Sequence, residues 1–327
     1  MSRTWWRWAR LLGGVAILAV LVWRLGTDPF LDAVGRINGW SLAAISGIAV
    51  VTTVCCAWRW SLVARGLGVG VPLPVAVAAY YRSQFLNTTL PGGVLGDVHR
   101  GVRHGRDVGD VARSLRAVVW ERLAGQLVQA VLTLLVLLLL PSPVRSSVPA
   151  VAAVVVAGAL GAVLLIRALP RGGASRWART LRTVAADVRD GLMPQPAWPR
   201  VMLASTLVVA GHTATFVIAA RTAGSSASTI RLLPLAALVL LAMVVPTNIG
   251  GWGPREGMAA WSFGVAGLGA AQGVTTAVVY GVMALVATLP GAVVLIAERL
   301  RAGAREDASP TQGRPSVAAS AEGAMRG

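Results

Sequence analysis

Lysine is absent from the 327 residues, so all 30 cationic side chains are arginine; acidic residues number 13, and charge of both signs totals 13%. That share is about half of the roughly 25% carried by an ordinary soluble domain. With 55% apolar residues and a mean hydropathy of +0.67, it excludes a fold built to sit in water. The formal charge of +17 lies between apolar runs and is not gathered on a polar domain, which removes nucleic acid as a partner. Exclusive use of arginine fits phosphate recognition and fits a GC-rich genome equally well. Cysteine is scarce too: Cys55 and Cys56 are adjacent within an apolar run, so there is no disulfide framework and no metal-ligand spacing. His99 and His104 lie in an arginine-rich stretch with no third ligand beside them, and His212 is alone in mid-span. Neither a metal site nor a cofactor is expected.

What is plentiful is the long apolar run. A bilayer core of about 30 Å takes roughly 20 apolar residues in a helix. Residues 11–23, 37–58, 123–140, 148–166, 201–220 and 273–297 read as about six spans, with Pro290 expected to kink the last. The first is short, bounded by Arg10 and Arg24, whose stems can snorkel. A signal peptide is its rival reading, weakened by Trp23-Arg24 where a small-residue cleavage site belongs. Tryptophans 5, 6, 8, 40, 58 and 60 fall at span ends, where an indole favours the interface. Arginine counts set the direction: Arg3, Arg7 and Arg10 precede the first span, Arg100 to Arg116 and Arg171 to Arg200 form two basic stretches, and Arg299, Arg301 and Arg305 follow the last span. The fold class is all-α, a polytopic transmembrane helix bundle with both termini cytoplasmic. Residues 301–327 read as a disordered cytoplasmic tail.

Two apolar stretches do not read as simple crossings. Residues 72–96 have cytoplasmic arginines on both sides, and their middle, SQFLNTTLPGGVLGD, holds Asn87, Thr88, Thr89, Pro91, Gly92 and Gly93. Those residues break a helix and free backbone groups, so the stretch reads as a re-entrant hairpin. Residues 232–271 carry VVPTNIGGWGPREG at their centre, with Pro246, Asn248, Gly250, Gly251, Gly253 and Pro254. Arms of about 14 residues reach only about 21 Å, too short to span. The two segments share a polar pair, a proline, paired glycines and a following charge, and they enter from opposite sides. One transmembrane domain over residues 1–300 is therefore expected, with inverted repeats at about 1–140 and 148–297, the organisation of transporters whose broken helices meet near the midplane.

At these residues the chain resembles the lysylphosphatidylglycerol synthase transmembrane region family, the flippase-like membrane proteins. The stretches that carry the resemblance are RWSLVARGLG (59–68), SQFLNTTLPGGVLGDVHRG (83–101), ARSLRAVVWERLAG (112–125), VPTNIGGWGPREG (245–257) and YGVMALVATLPGAVVL (280–295). Leu95 departs from the pattern, where a further glycine belongs before Gly96-Asp97. The resemblance implies a multi-pass protein of a bacterial inner (plasma) membrane, related to the domain that moves aminoacylated phosphatidylglycerol between leaflets. It implies a membrane phospholipid or polyprenyl-linked lipid as partner. The soluble aminoacyl transferase domain sometimes fused to such regions has no room in the short stretch after the last span.

A lipid translocase needs a cation for the phosphate and a polar lining across the hydrocarbon. Arg255, inside the second glycine-rich break, is the first choice for the phosphate, with Glu256 to neutralise it or to meet a headgroup amine. Asn87, Thr88, Pro91, Gly92, Gly93, Asn248, Gly250, Gly251 and Gly253 would supply hydrogen bonds and close backbone approach. Asp97 and Arg100 sit at the mouth of the first hairpin as collectors of headgroups or as solvated loop charges, and Glu121 and Arg122 open the third span as site residues or as a helix-end ion pair. Arg82, beside Tyr80 and Tyr81, is a further cation for a lipid phosphate. The leading function is lipid translocase or lipid-linked precursor transporter, more transporter than enzyme. The alternatives are a membrane transferase or phosphatase using Asp97, Glu121 or Glu256 as acid and base, or a non-transporting partner of a separate transferase; a homo-oligomer is also open.

The topology has a direct test. In a variant lacking Cys55 and Cys56, a cysteine introduced by Arg103→Cys is expected to react with a membrane-impermeant maleimide only after cells are opened. Labelling on intact cells overturns the orientation.

Overall fold

The computed structural model describes residues 35–90, 93–142, 197–244 and 252–307, together with scattered positions between these stretches. Among the described residues the fold is entirely helical. In chain order the helices are α1 (Gly39–Gly66), α2 (Leu73–Thr89), α3 (Leu95–Asp107), α4 (Val111–Leu139), α5 (Ala197–Thr222), α6 (Thr229–Ala242), α7 (Pro254–Val265) and α8 (Ala270–Asp307). Four of them, α1, α4, α5 and α8, are long and apolar enough to cross a membrane.

Local chemistry fixes where these helices start and stop. The Asn38 side chain accepts from Ser41 N at 2.8 Å and caps α1, while Gly68, at φ 74°, turns the chain out of its far end. Asp110 caps α4 by accepting from Arg113 N at 2.9 Å. The lipid-facing surface is legible on α4, where Val119, Leu123, Leu127, Val131 and Leu135 are exposed at every fourth position. In water such a stripe would be a liability; against acyl chains it is the expected covering.

The order long, short, short, long occurs twice, and the packing repeats with it. The main helix contacts are unchanged when α1–α4 are exchanged with α5–α8: α2 packs on α8 as α6 packs on α4, α3 on α4 as α7 on α8, and α1 on α4 as α5 on α8. The pair α1 and α5 lies at the centre of this exchange. Arg36 donates to Ala223 O, Thr52 meets Gly211, and Arg59 donates to Ser205 Oγ. Numbers rise along α1 as they fall along α5, so the two helices are antiparallel. An exchange of halves that also reverses direction is what an inverted repeat requires. Two apolar cores form, one around Trp60, Val63 and Ala79 with Val201 and Ala204 of α5, the other around Phe216, Leu235 and Phe263 with Ile45 of α1.

Several boundaries differ from those the sequence led us to expect. The return arm of the first hairpin is α3, an arginine-rich helix that begins at Leu95, and not an apolar arm ending at Gly96. The helix α4 begins at Val111, well ahead of its apolar run, and α8 runs through Pro290 to Asp307, into the stretch assigned to the tail. The span at 11–23 apart from Trp23, most of the span at 148–166, most of the basic stretch 171–200, the tail beyond Asp307, and Pro91, Gly92, Asn248, Gly250 and Gly251 lie outside the described residues.

Glycines permit the closest helix approaches. A Cβ on Gly96 would lie 2.1 Å from Ser83 O, fixing α3 against α2, whereas one on Gly47 would meet nothing within 4 Å. Gly96→Ala should therefore lower the melting temperature in detergent by the equivalent of roughly 1–3 kcal/mol, the usual cost of overpacking. Gly47→Ala should leave it unchanged or raise it. Equal effects at the two positions would refute the packing.

Candidate functional site

Five charged side chains from three helices, with Tyr80 of a fourth, converge beside the first break. Glu121 on α4 is fully buried. Its Oε1 accepts from Arg59 Nε of α1 at 2.8 Å and from Tyr80 Oη of α2 at 2.9 Å, and its Oε2 accepts from Arg100 Nη2 of α3 at 2.7 Å. Arg100 Nε donates to Asp97 Oδ1 at 3.0 Å, and its guanidinium carbon lies 4.1 Å from the centre of the Tyr80 ring and 4.8 Å from that of Trp60. Asp97 is held in turn by Ser83 Oγ at 3.1 Å, by Asn87 Nδ2 at 2.8 Å and by Arg122. Three guanidiniums thus share two carboxylates, which leaves the cluster one positive charge in excess among the described residues. An excess cation only partly shielded from water, as Arg122 is, is stabilised by an anion beside it.

A cavity of about 280 Å³ opens beside this cluster. Arg59 and Arg122 face it, as do Gln126 and Gln129, also on α4. Positions 122, 126 and 129 recur at i, i+4 and i+7, so they form one polar stripe on α4 away from its lipid-facing row. Ser205 and His212 of α5 face it from the other half, with His212 Nδ1 3.3 Å from Tyr280 Oη. The cavity is also lined by Gly93 and Val94, which follow the first break, and by Met243 and Val244, which precede the second. Both discontinuities therefore reach one polar space between the halves.

The chain matches the model of the lysylphosphatidylglycerol synthase TM region family over residues 8–291. It belongs to that family. No curated protein matches it. Membership together with four long apolar helices makes this a membrane protein of a lipid-related family.

In this member of the family, the residues singled out from sequence are distributed as follows. Glu121 and Arg122 are both in the cluster. Asp97 and Arg100 are in it as well, buried on α3 and not solvated at a loop. Asn87 is spent within the hairpin: its Oδ1 accepts from Gly96 N at 2.8 Å while its Nδ2 holds Asp97. The Thr88 and Thr89 hydroxyls donate back to carbonyls of their own helix. Gly93, at φ 60°, forms part of the cavity wall. Arg255 lies apart, since its Nε donates to Glu256 Oε1 at 2.8 Å and its guanidinium carbon is 4.8 Å from the Trp252 ring centre. Glu256 also accepts from Gly253 N at 2.7 Å, so both belong to the cap of α7. Tyr280 lines the cavity, with its ring centre 5.7 Å from the Arg255 guanidinium carbon. It is Arg100 that covers Tyr80, whereas Arg82 pairs with Glu298.

Arg59 is the residue that sequence reasoning passed over. Its signal was a lone arginine at the end of an otherwise uncharged run, flanked by Trp58 and Trp60. Gly125 gives it room, because a Cβ there would stand 2.5 Å from Arg59 Nη1. The mirror case is Gly281 against Arg255, at 2.1 Å.

The cluster yields a stability prediction. Glu121→Ala strands Arg59 and Arg100 and should destabilise the purified protein by about 3–5 kcal/mol in a detergent melt. Arg122→Gln, whose side chain is 38% exposed, should cost less than about 1 kcal/mol. A smaller loss for Glu121→Ala than for Arg122→Gln would overturn the assignment of Glu121 as the hub.

Proposed function

We propose that the protein is a lipid translocase of a bacterial plasma membrane, which passes a phosphate-bearing headgroup through the central cavity by alternating access between its two halves. One observation carries this reading: a polar cavity, faced by Arg59 and Arg122 of a cluster with surplus positive charge, lies between the halves where both broken helices end. Hydrocarbon opposes the crossing of a phosphate, and a guanidinium fork offsets that penalty with charge and two donors at once.

Size supports the division of labour between protein and bilayer. The volume of about 280 Å³ sits at the lower edge of the roughly 300–1,000 Å³ common for small-molecule pockets. It suits a headgroup, with the acyl chains left between helices in the lipid. The antiparallel relation of α1 and α5 gives the halves equivalent and opposed packings, the geometry in which one half can rock against the other. We place the end that carries Arg103, Arg106, Arg113, Arg299 and Arg301 in the cytoplasm.

The reading of a membrane transferase or phosphatase finds less support, because Asp97, Glu121 and Glu256 each hold an arginine. A general acid or base needs a carboxyl free to exchange its proton.

Reconstitution tests the proposal. Purified protein in liposomes should accelerate the loss of a labelled phospholipid from one leaflet, and Arg122→Gln and Gln126→Leu should each slow it at least roughly tenfold with the fold retained, since an unpaired buried phosphate costs on the order of 1–3 kcal/mol per lost bond. No acceleration over empty liposomes across anionic and zwitterionic phospholipids, or unaltered rates in both variants, would sink it.

A further inference from the structure

A second cavity, of about 380 Å³, lies at the arginine-rich end of the bundle among α1, α2, α3 and α8. It shares no lining residue with the central one. Arg82, Arg100 and Arg103 face it, opposed by Asp107 and Glu298. Among the described residues only four buried side-chain nitrogen or oxygen atoms make no hydrogen bond, and three of them, Trp60 Nε1, Arg82 Nε and Arg100 Nη1, belong to residues that line this one cavity. Buried donors are nearly always satisfied, charged ones above all. All three atoms are covered in this arrangement, but they sit on residues around a single space, two of them on guanidiniums, and an acceptor with several oxygens entering there as the covering side chains give way would satisfy them.

The cavity already holds an internal anion of that shape. Both oxygens of Glu298 accept from Arg82 Nη1, at 2.6 and 2.7 Å, and Glu298 also pairs with Arg103. Arg82 is buried, whereas the Arg103 and Glu298 side chains are 45% and 31% exposed. Glu298 can therefore swing outward along the end of α8 without leaving a buried charge of its own behind. His104 is otherwise engaged, with Nε2 2.8 Å from Val69 O.

We propose that this cavity is a second anion site, which admits a phosphate group at the arginine-rich end of the protein when Glu298 gives way. A carboxylate presents two oxygens; a phosphate presents more, and the three idle donors are the surplus that would take them. The ligand chemistry is a phosphate ester or free phosphate. This inference rests on the idle donors and Glu298, and is independent of whether the central cavity transports lipid.

The test uses the full chain in phosphatidylcholine nanodiscs. One arm adds inorganic phosphate; the other adds increasing phosphatidylglycerol to the disc, and both read the melting temperature. Native protein should show a saturable rise. Glu298→Gln should bind roughly threefold or more tightly, on the scale of releasing a partly exposed ion pair, and Arg103→Gln should bind more weakly. A rise with phosphatidylglycerol alone identifies a lipid headgroup; a rise with inorganic phosphate shows that the bare group suffices. The gain in Glu298→Gln should persist in an Arg122→Gln background, which separates this site from the central one. The proposal fails if neither probe shifts native or Glu298→Gln protein saturably, if Glu298→Gln leaves affinity for both probes unchanged or lowers it, or if the gain disappears with Arg122→Gln.

Discussion

The carboxylate of Glu121 is the contact on which the first half depends. It is buried on α4, yet it accepts from Arg59 of α1, Tyr80 of α2 and Arg100 of α3. Four helices are thereby tied at one point inside an apolar bundle. Association of helices in a bilayer has little hydrophobic drive, since the lipid is as apolar as the side chains, so packing and hydrogen bonds must hold them. The glycines complete the constraint. Gly125 lets the guanidinium of Arg59 lie against α4, while Gly96, Gly101 and Gly105 seat α3 against α2 and α4.

Among the described residues the two sets of four helices share an order and a packing pattern but not a charge pattern. In the second half the corresponding break carries Arg255 and Glu256, which satisfy one another next to the cap at Gly253. In the first half Glu121 is met by bases from two other helices, and among the described residues the charges of the cluster do not balance. A closed pair of neighbours in sequence holds a turn together. An open cluster of distant residues, one charge in excess, leaves donors facing the cavity. The asymmetry assigns different work to the halves: α5 to α8 present a neutral wall of Ser205, His212 and Tyr280, and α1 to α4 present the charge.

How far the sequence carried this reading follows from which kinds of signal are local. Apolar length located α1, α4, α5 and α8 because a bilayer imposes its thickness on any span. Proline and glycine located the two breaks because their backbone preferences act within a few residues. The same local logic misplaced α3. Its density of Arg100, Arg103 and Arg106 reads as a solvated loop unless the partners of Arg100 are known, and one of them, Glu121, is 21 residues away. Arg59 was missed for the same reason, since its acceptor lies 62 residues on. Arg255 stood out because its context is unusual over a short window, but that context serves the cap of α7. Charge pairing across helices is a property of tertiary packing, and one sequence holds no record of it.

The charge of the central cavity also narrows what it can hold. Among the described residues, its lining offers guanidiniums, amides, hydroxyls and an imidazole, and no carboxylate. Asp97 and Glu121 stand behind the wall with their oxygens already taken. A phosphodiester brings one negative charge, which matches the single surplus cation of the cluster and makes the loaded site neutral; neutrality is the condition under which a buried polar assembly is least costly. A headgroup amine would find no acid there and would add to the surplus. Under the proposed function, the central cavity suits the phosphate end of a headgroup, and its described lining offers no acid to a cationic part.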